Sequence, residues 1–115
     1  MRNRGEVWLA DLNPPHGTEP GKLRPVLIVQ SQILQDVDHP STLVIPLTTN
    51  LTSDAEPLRI RIASSGRLKR NSDLLIDQLR AIDNRCLAEG PLTRLGEPMM
   101  ARVGIALQEV LGLIK

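Results

Sequence analysis

The sequence predicts a mainly β domain: a small, strongly curved sheet or partly open barrel, capped by one C-terminal helix. Three observations carry that expectation. Most of the chain is a series of short apolar runs separated by turn residues. Only the segment from Pro98 onward has a helical period. With 115 residues there is room for one core, over 1–115.

Taken in order, Glu6 to Leu12 is the first strand-like run, ended by Asn13-Pro14-Pro15-His16-Gly17, which continues neither a helix nor a central strand. Pro25 to Gln30 is nearly all aliphatic, the pattern of a strand buried on both faces. Thr42 to Leu47 is a third run, where Pro46 removes a ladder donor and predicts a sheet edge or bulge. Leu58 to Ile62 alternates, placing Leu58, Ile60 and Ile62 toward the core and Arg59 and Arg61 outward. Leu74 to Ile76 and Arg80 to Asp83 complete a set of about five or six strands. In Pro98 to Lys115, Met99, Met100, Val103, Ala106, Leu107, Val110, Leu111 and Ile114 form one stripe, with Glu97 and Pro98 as start signals.

Composition narrows the function. Leu, Ile and Val number 19, 9 and 7, so the chain can bury a core. Fourteen basic residues face 13 acidic ones, and Trp8 is the single aromatic. This excludes a strongly basic nucleic-acid binder and a sheet that stacks bases on Phe and Tyr. Trp8, in the first strand, is expected to pack in the core. The lone Cys86 cannot form an intramolecular disulfide, which predicts a reducing, cytoplasmic setting. The basic start, Met1 to Glu6, lacks a leader's apolar segment, and the longest aliphatic run, Val26 to Val29, is far too short for a membrane span.

Several apparent motifs fail. Gly17 to Lys22 is one residue short of a phosphate loop, has Leu23 for the Ser/Thr, and precedes a strand instead of a helix. Asp36, Asp38 and His39 form a polar turn without a Cys or His partner at ligand spacing, so no metal and no cofactor is expected. Cys86 reads as a small buried apolar residue. Arg24 stands out, held at the start of an aliphatic strand behind a Gly- and Pro-rich loop that carries Glu19 and Lys22. Thr48 and Thr49 end the third run. Between Arg59 and Arg70 lie five basic residues (Arg59, Arg61, Arg67, Lys69, Arg70) and no acid, a patch suited to an anionic partner. Ser64-Ser65-Gly66 within it reads as a flexible loop.

Together these segments resemble the MazF/PemK family of toxin endoribonucleases from type II toxin–antitoxin pairs. The matching string runs Arg4-Gly5-Glu6-Val7-Trp8-Leu9-Ala10-Asp11-Leu12-Asn13-Pro14, Gly17-Thr18-Glu19, and Gly21-Lys22-Leu23-Arg24-Pro25-Val26-Leu27-Ile28-Val29. It continues through Val44-Ile45-Pro46-Leu47-Thr48, Asp77-Gln78-Leu79-Arg80-Ala81-Ile82-Asp83, and the terminal Met99-Met100, Ala106-Leu107 and Leu111 to Ile114. The resemblance implies a small SH3-like barrel of the CcdB/PemK type, a homodimer, and a cognate antitoxin whose acidic and apolar tail competes with substrate. It also implies sequence-specific, metal-independent cleavage of single-stranded RNA (mRNA), in which the 2′-hydroxyl attacks the adjacent phosphate. The alternative on the same architecture is a non-catalytic CcdB-like toxin that poisons a protein such as DNA gyrase.

The resemblance maps the family's catalytic Arg onto Arg24 and its Thr onto Thr48. An Arg fork suits the charge that builds on a phosphorane, and a Thr hydroxyl can hold a non-bridging oxygen. The loop after the first strand supplies His16, Gly17, Thr18 and Glu19 as RNA contacts. Thr49 joins them beside Thr48, and Asp77 and Gln78 join from a later strand; Lys69 and Arg70 track phosphates. Where some relatives carry an Arg two residues before the Asp, this chain has Leu75, and where some carry a His it has Thr18. No Arg–Asp acid–base pair is therefore implied, and Asp77 is expected to read a base edge.

Overall fold

The computed structural model describes residues 2–12 and 23–114, so the expected RNA contacts His16, Gly17, Thr18 and Glu19 lie outside the described residues. Seven antiparallel strands form the body: β1 (Glu6–Asp11), β2 (Leu23–Ile28), β3 (Ser41–Thr48), β4 (Arg59–Ile62), β5 (Ser72–Leu75), β6 (Arg80–Asp83) and β7 (Leu87–Arg94). They are accompanied by the one-turn helix α1 (Gln32–Asp36) and the closing helix α2 (Glu97–Val110). The strand order is β4-β5-β3-β2-β1-β7, with β6 also paired to β3. The ends of this order meet: the Arg67 N–H donates to the Leu92 carbonyl (2.7 Å), and the Ser65 and Thr93 hydroxyls stand 2.5 Å apart. The curved sheet is thus drawn into a barrel.

Ser64-Ser65-Gly66 is part of that closure and not a flexible loop. Gly66 has φ +55°, and a Cβ there would lie 2.7 Å from the Leu92 carbonyl oxygen, so the hairpin tip reaches β7 only through glycine.

β2 is buried on both faces, as its composition predicts. Leu27 and Val29 join the main core with Val7, Ile45, Leu74 and Val103, whereas Val26 and Ile28 join a second cluster with Ala10, Val44 and Ile82. Trp8 packs half-buried against that second cluster instead of in the main core, its indole N–H donating to Glu6 Oε1 (3.0 Å).

Pro46 sits in a central strand, not at an edge. The Val29 N–H bonds to the Leu43 carbonyl and the Leu43 N–H to Gln30, so Leu43, Ile45 and Leu47 turn their backbone groups to β2. Pro46 faces the other way, where β6 has ended opposite Val44 and β5 begins opposite Leu47. The missing donor falls in that gap.

Three other expectations are corrected. Leu58 is half exposed and precedes β4, because the Leu58 and Arg59 N–H groups both turn back to the Ala55 carbonyl. The helical stripe ends early: Val103 and Ala106 are buried, but Gly112 at φ +74° stops the helix and leaves Leu111 and Ile114 exposed. The sheet also has a strand beyond those expected, β7. Its Gly90 and Pro91 conceal it in the sequence, and it tolerates the proline because, among the described strands, it pairs only with β1. At Gly90 a Cβ would overlap the Trp8 ring, so glycine is required for the indole to lie there.

Candidate active site

β2 is held on both sides, with Ala10 of β1 opposite Arg24 and Pro46 of β3 opposite Val26. Extending the β2–β3 register by two positions places Arg24 opposite Thr48. The two line one cavity of about 220 Å³, completed by Pro25, Leu47, Thr49 and Ser72. The positions joined from separate sequence runs therefore converge at one end of the central strands. Arg24 is half-buried and has no hydrogen-bond or ion-pair partner among the described residues, so its fork is available to an anion. Thr48 Oγ1 accepts the Asn50 N–H (3.1 Å), which fixes the side chain and leaves its O–H free to donate.

Ser72, which the sequence reasoning did not single out, is the further polar group in the wall. It is buried, and its hydroxyl donates to the Arg70 carbonyl (3.0 Å), tying the β4–β5 hairpin to the cavity rim. Nothing in local composition distinguishes it from other serines; only the β3–β5 register, with the adjacent Asp73 opposite Thr48, brings it to the site. Lys69 and Arg70, on that hairpin, are exposed and carry no ion pair among the described residues. Thr49 is exposed at the cavity edge.

Asp77 and Gln78 lie in a 3-10 turn, Ile76–Gln78, after β5 and not on a strand. Both are exposed, and neither lines the cavity.

The basic cluster is not the open patch that its composition suggests. Asp73, only 1% exposed, accepts Arg61 Nε (2.8 Å) and the weaker Arg59 contact (3.5 Å), while Arg67 pairs with Glu89 (3.2 Å). Lys69 and Arg70 are the cluster's cations without an ion pair among the described residues. Burial would push the Asp73 carboxyl up, but the Arg61 guanidinium, the Thr52 N–H and Arg59 together hold it below the usual carboxylate range.

Larger cavities lie elsewhere, one of about 690 Å³ beside Arg4, Arg94 and Met100. There the Arg4 guanidinium is engaged by the Val29 carbonyl. Among the described residues no group of three or more His, Cys, Asp or Glu is placed to hold a metal ion. Asp36 accepts from Gln32, and Asp38 pairs with Arg2. Cys86 is a half-buried free thiol packed against the second cluster. No described helix is long and apolar enough to cross a membrane.

Comparison with known proteins places these features in context. The sequence profile described as PemK-like, MazF-like toxin of type II toxin-antitoxin system matches residues 3–111. Endoribonuclease EndoA of Bacillus subtilis is 37% identical over 112 residues, covering 96% of this chain and 95% of that protein. Endoribonuclease MazF of Staphylococcus epidermidis is 36% identical over 114 residues, covering 98% and 93%. Among solved structures, the Mycobacterium tuberculosis toxin MazF-mt6 aligns with a TM-score of 0.77 at 19% identity, over 96% of this chain and 99% of that one. The toxin of a MazE-MazF complex from Deinococcus radiodurans aligns at 0.76 and 20% identity, over 96% of both chains. These structural likenesses bear on the fold.

Proposed function

The chain belongs to the PemK-like, MazF-like toxins of type II toxin–antitoxin systems, and on that premise we propose that Arg24 and Thr48 form the catalytic pair of an RNA-cleaving site. Like its curated relatives it is an endoribonuclease. The observation that carries the site is the convergence, in one cavity, of Arg24, which has no partner among the described residues, and an oriented Thr48.

The reaction we assign uses the substrate's own 2′-oxygen as nucleophile. That oxygen bonds to phosphorus as the bond to the 5′-oxygen breaks; the 2′-hydroxyl proton passes to solvent and the departing 5′-oxygen takes one up from solvent. A 2′,3′-cyclic phosphate and a 5′-hydroxyl result. Arg24 meets the negative charge building on the non-bridging oxygens with a charged, bidentate donor, and Thr48 donates its O–H to one of them. An arginine stays charged and is a poor base, so Arg24 acts as an electrostatic clamp. Lys69 and Arg70, on the rim side anchored by Ser72, carry the flanking phosphates. Base reading falls to His16, Gly17, Thr18 and Glu19, with Thr49, Asp77 and Gln78 at the margins.

The partner follows from the same surface. The cationic rim with apolar Pro25 and Leu47 beneath fits an acidic and apolar antitoxin tail that excludes RNA by occupying its groove. We assign the protein to the cytoplasm as a homodimer. Val103 and Ala106 of α2 are buried, and Met99, Met100, Leu107 and Val110 pack partly buried against the same core.

The decisive experiment incubates the pure protein with RNA in excess EDTA and maps the new ends. Fragments with 5′-hydroxyl termini are expected, and none from an oligonucleotide with a single deoxy sugar at the cut. Cleavage of that deoxy oligonucleotide would refute the 2′-hydroxyl mechanism; intact RNA with broken DNA would instead favour a protein-poisoning toxin.

A further inference from the structure

The segment after Thr48 has no regular structure, yet a buried acid holds it through two arginines. Asp73 stands opposite Thr48 in the β3–β5 register. One carboxylate oxygen accepts Arg61 Nε (2.8 Å); the other accepts the Thr52 N–H (2.9 Å) and the longer Arg59 contact (3.5 Å). Both guanidinium groups reach on to the same segment: Arg59 donates to the Asn50 carbonyl (2.9 Å) and Arg61 to the Thr52 carbonyl (3.2 Å). Asn50 is the residue whose N–H fixes the Thr48 hydroxyl (3.1 Å).

Resting on the reading of Thr48 given above, we propose that Asp73 is a positioning residue for cleavage, acting through Arg59 and Arg61 to hold Asn50 and so aim the Thr48 O–H at the scissile phosphate. The physical case is one of direction. A lone threonine at a strand end has a free χ1 and several partners in water, and a hydroxyl must be held before reaction to stabilise developing charge efficiently. Here the holding group is a backbone N–H, itself on a loop that would wander without the two guanidinium braces. Those braces are in turn held where they are by a carboxylate buried between them and the sheet. A negative charge this deeply buried is retained only when paired, so Asp73, Arg59 and Arg61 act as one unit. None of the three lines the Arg24–Thr48 cavity, so the inference requires that their effect on cleavage pass through Thr48 and not through Ser72 beside Asp73.

The test is a double-mutant cycle on RNA cleavage, using Asp73→Asn and Arg59→Ala, each alone and combined with Thr48→Ala. Arg59→Ala leaves Asp73 bonded to Arg61 and Thr52, so it keeps the test open even if Asp73→Asn does not fold. With Thr48 present, kcat is expected to fall about 10-fold for Asp73→Asn and about 3-fold for Arg59→Ala, the scale of one misaimed hydrogen bond. KM, and the affinity for an uncleavable oligonucleotide with one deoxy sugar, should stay within about 2-fold, because no substrate contact is removed. In the Thr48→Ala background neither substitution should change kcat further. Equal losses in both backgrounds, or no loss in either, would overturn the inference while leaving the site reading intact. Full activity in Thr48→Ala alone would instead refute the role of Thr48 itself.

Discussion

Arg24 and Thr48, 24 residues apart in sequence, line one small cavity at the end of the β2–β3 pair, two positions beyond the Val26–Pro46 partners. Both lie on strands that pair on each side, so the guanidinium and the hydroxyl are carried by the sheet and not by its loops. A phosphate placed between them would meet a charged fork from one strand and a neutral donor from the next. The two donors differ in charge and reach, and substitutions at the two positions should differ accordingly.

Replacing Arg24 with Ala should lower cleavage by about 10²–10³-fold, the cost of one preorganised donor at a developing oxyanion. Arg24→Lys retains the charge but loses the bidentate fork, and is expected to recover only part of that loss. Single-turnover cleavage of a short RNA measures both. Wild-type rates in Arg24→Ala would remove the residue from the site.

Thr48→Ala removes one hydrogen bond to a charged oxygen and should cost about 10–100-fold in kcat. Thr48→Ser keeps the hydroxyl and its bond from Asn50, so most of the activity should survive. Comparable losses in both would show that the methyl group matters and the hydroxyl does not.

Lys69 and Arg70 sit beyond the reacting centre, so their loss should be read in binding and not in chemistry. Replacing both with Ala should weaken RNA binding and make the slope of log affinity against log salt shallower by about 0.7 per lost phosphate contact. The kcat at saturating RNA should hold. An unchanged salt slope would mean that these side chains do not track the backbone.

Much of this is legible in the sequence alone. The aliphatic run of β2 announced a doubly buried strand because period and β-branching are local properties, and Arg24 and Thr48 could be named from the motif string. What escaped depended on pairing. The basic run from Arg59 to Arg70 reads as an open patch, because Asp73 lies three residues past its end and meets Arg59 and Arg61 only through the β4–β5 register. Ser72 is hidden in the same way, because only the β3–β5 pairing sets it beside Thr48. β7 was hidden by its own Gly90 and Pro91, residues that mark a turn unless an edge strand can absorb them.

Gly66 should prove the least replaceable residue of the β4–β5 hairpin. An alanine there combines a left-handed backbone, costing about 1–2 kcal/mol, with a Cβ 2.7 Å from the Leu92 carbonyl that receives the Arg67 N–H. Thermal unfolding of Gly66→Ala should start about 5–10 °C lower than wild type. A Ser65→Ala change, which removes only the exposed hydroxyl contact to Thr93, should move it far less. Equal shifts would mean that the barrel is not closed through the glycine.

Asp73 also predicts how stability responds to acid. Its carboxyl is held below the ordinary aspartate range in the folded protein, because the Arg61, Thr52 and Arg59 hydrogen bonds outweigh the upward push of burial. The unfolded chain therefore takes up the proton first as pH falls. The stabilisation from the ionised form is fully present above the unfolded value of about 3.9 and disappears as pH drops through the lower folded value. Urea unfolding of wild type should lose stability steeply below about pH 4, whereas Asp73→Asn, already weakened at neutral pH, should show a flatter acid limb. The gap between the two proteins should narrow as the solution is acidified. A gap that stays constant down to the acid end would show that the Asp73 charge contributes nothing and that the loss in Asp73→Asn comes from packing alone.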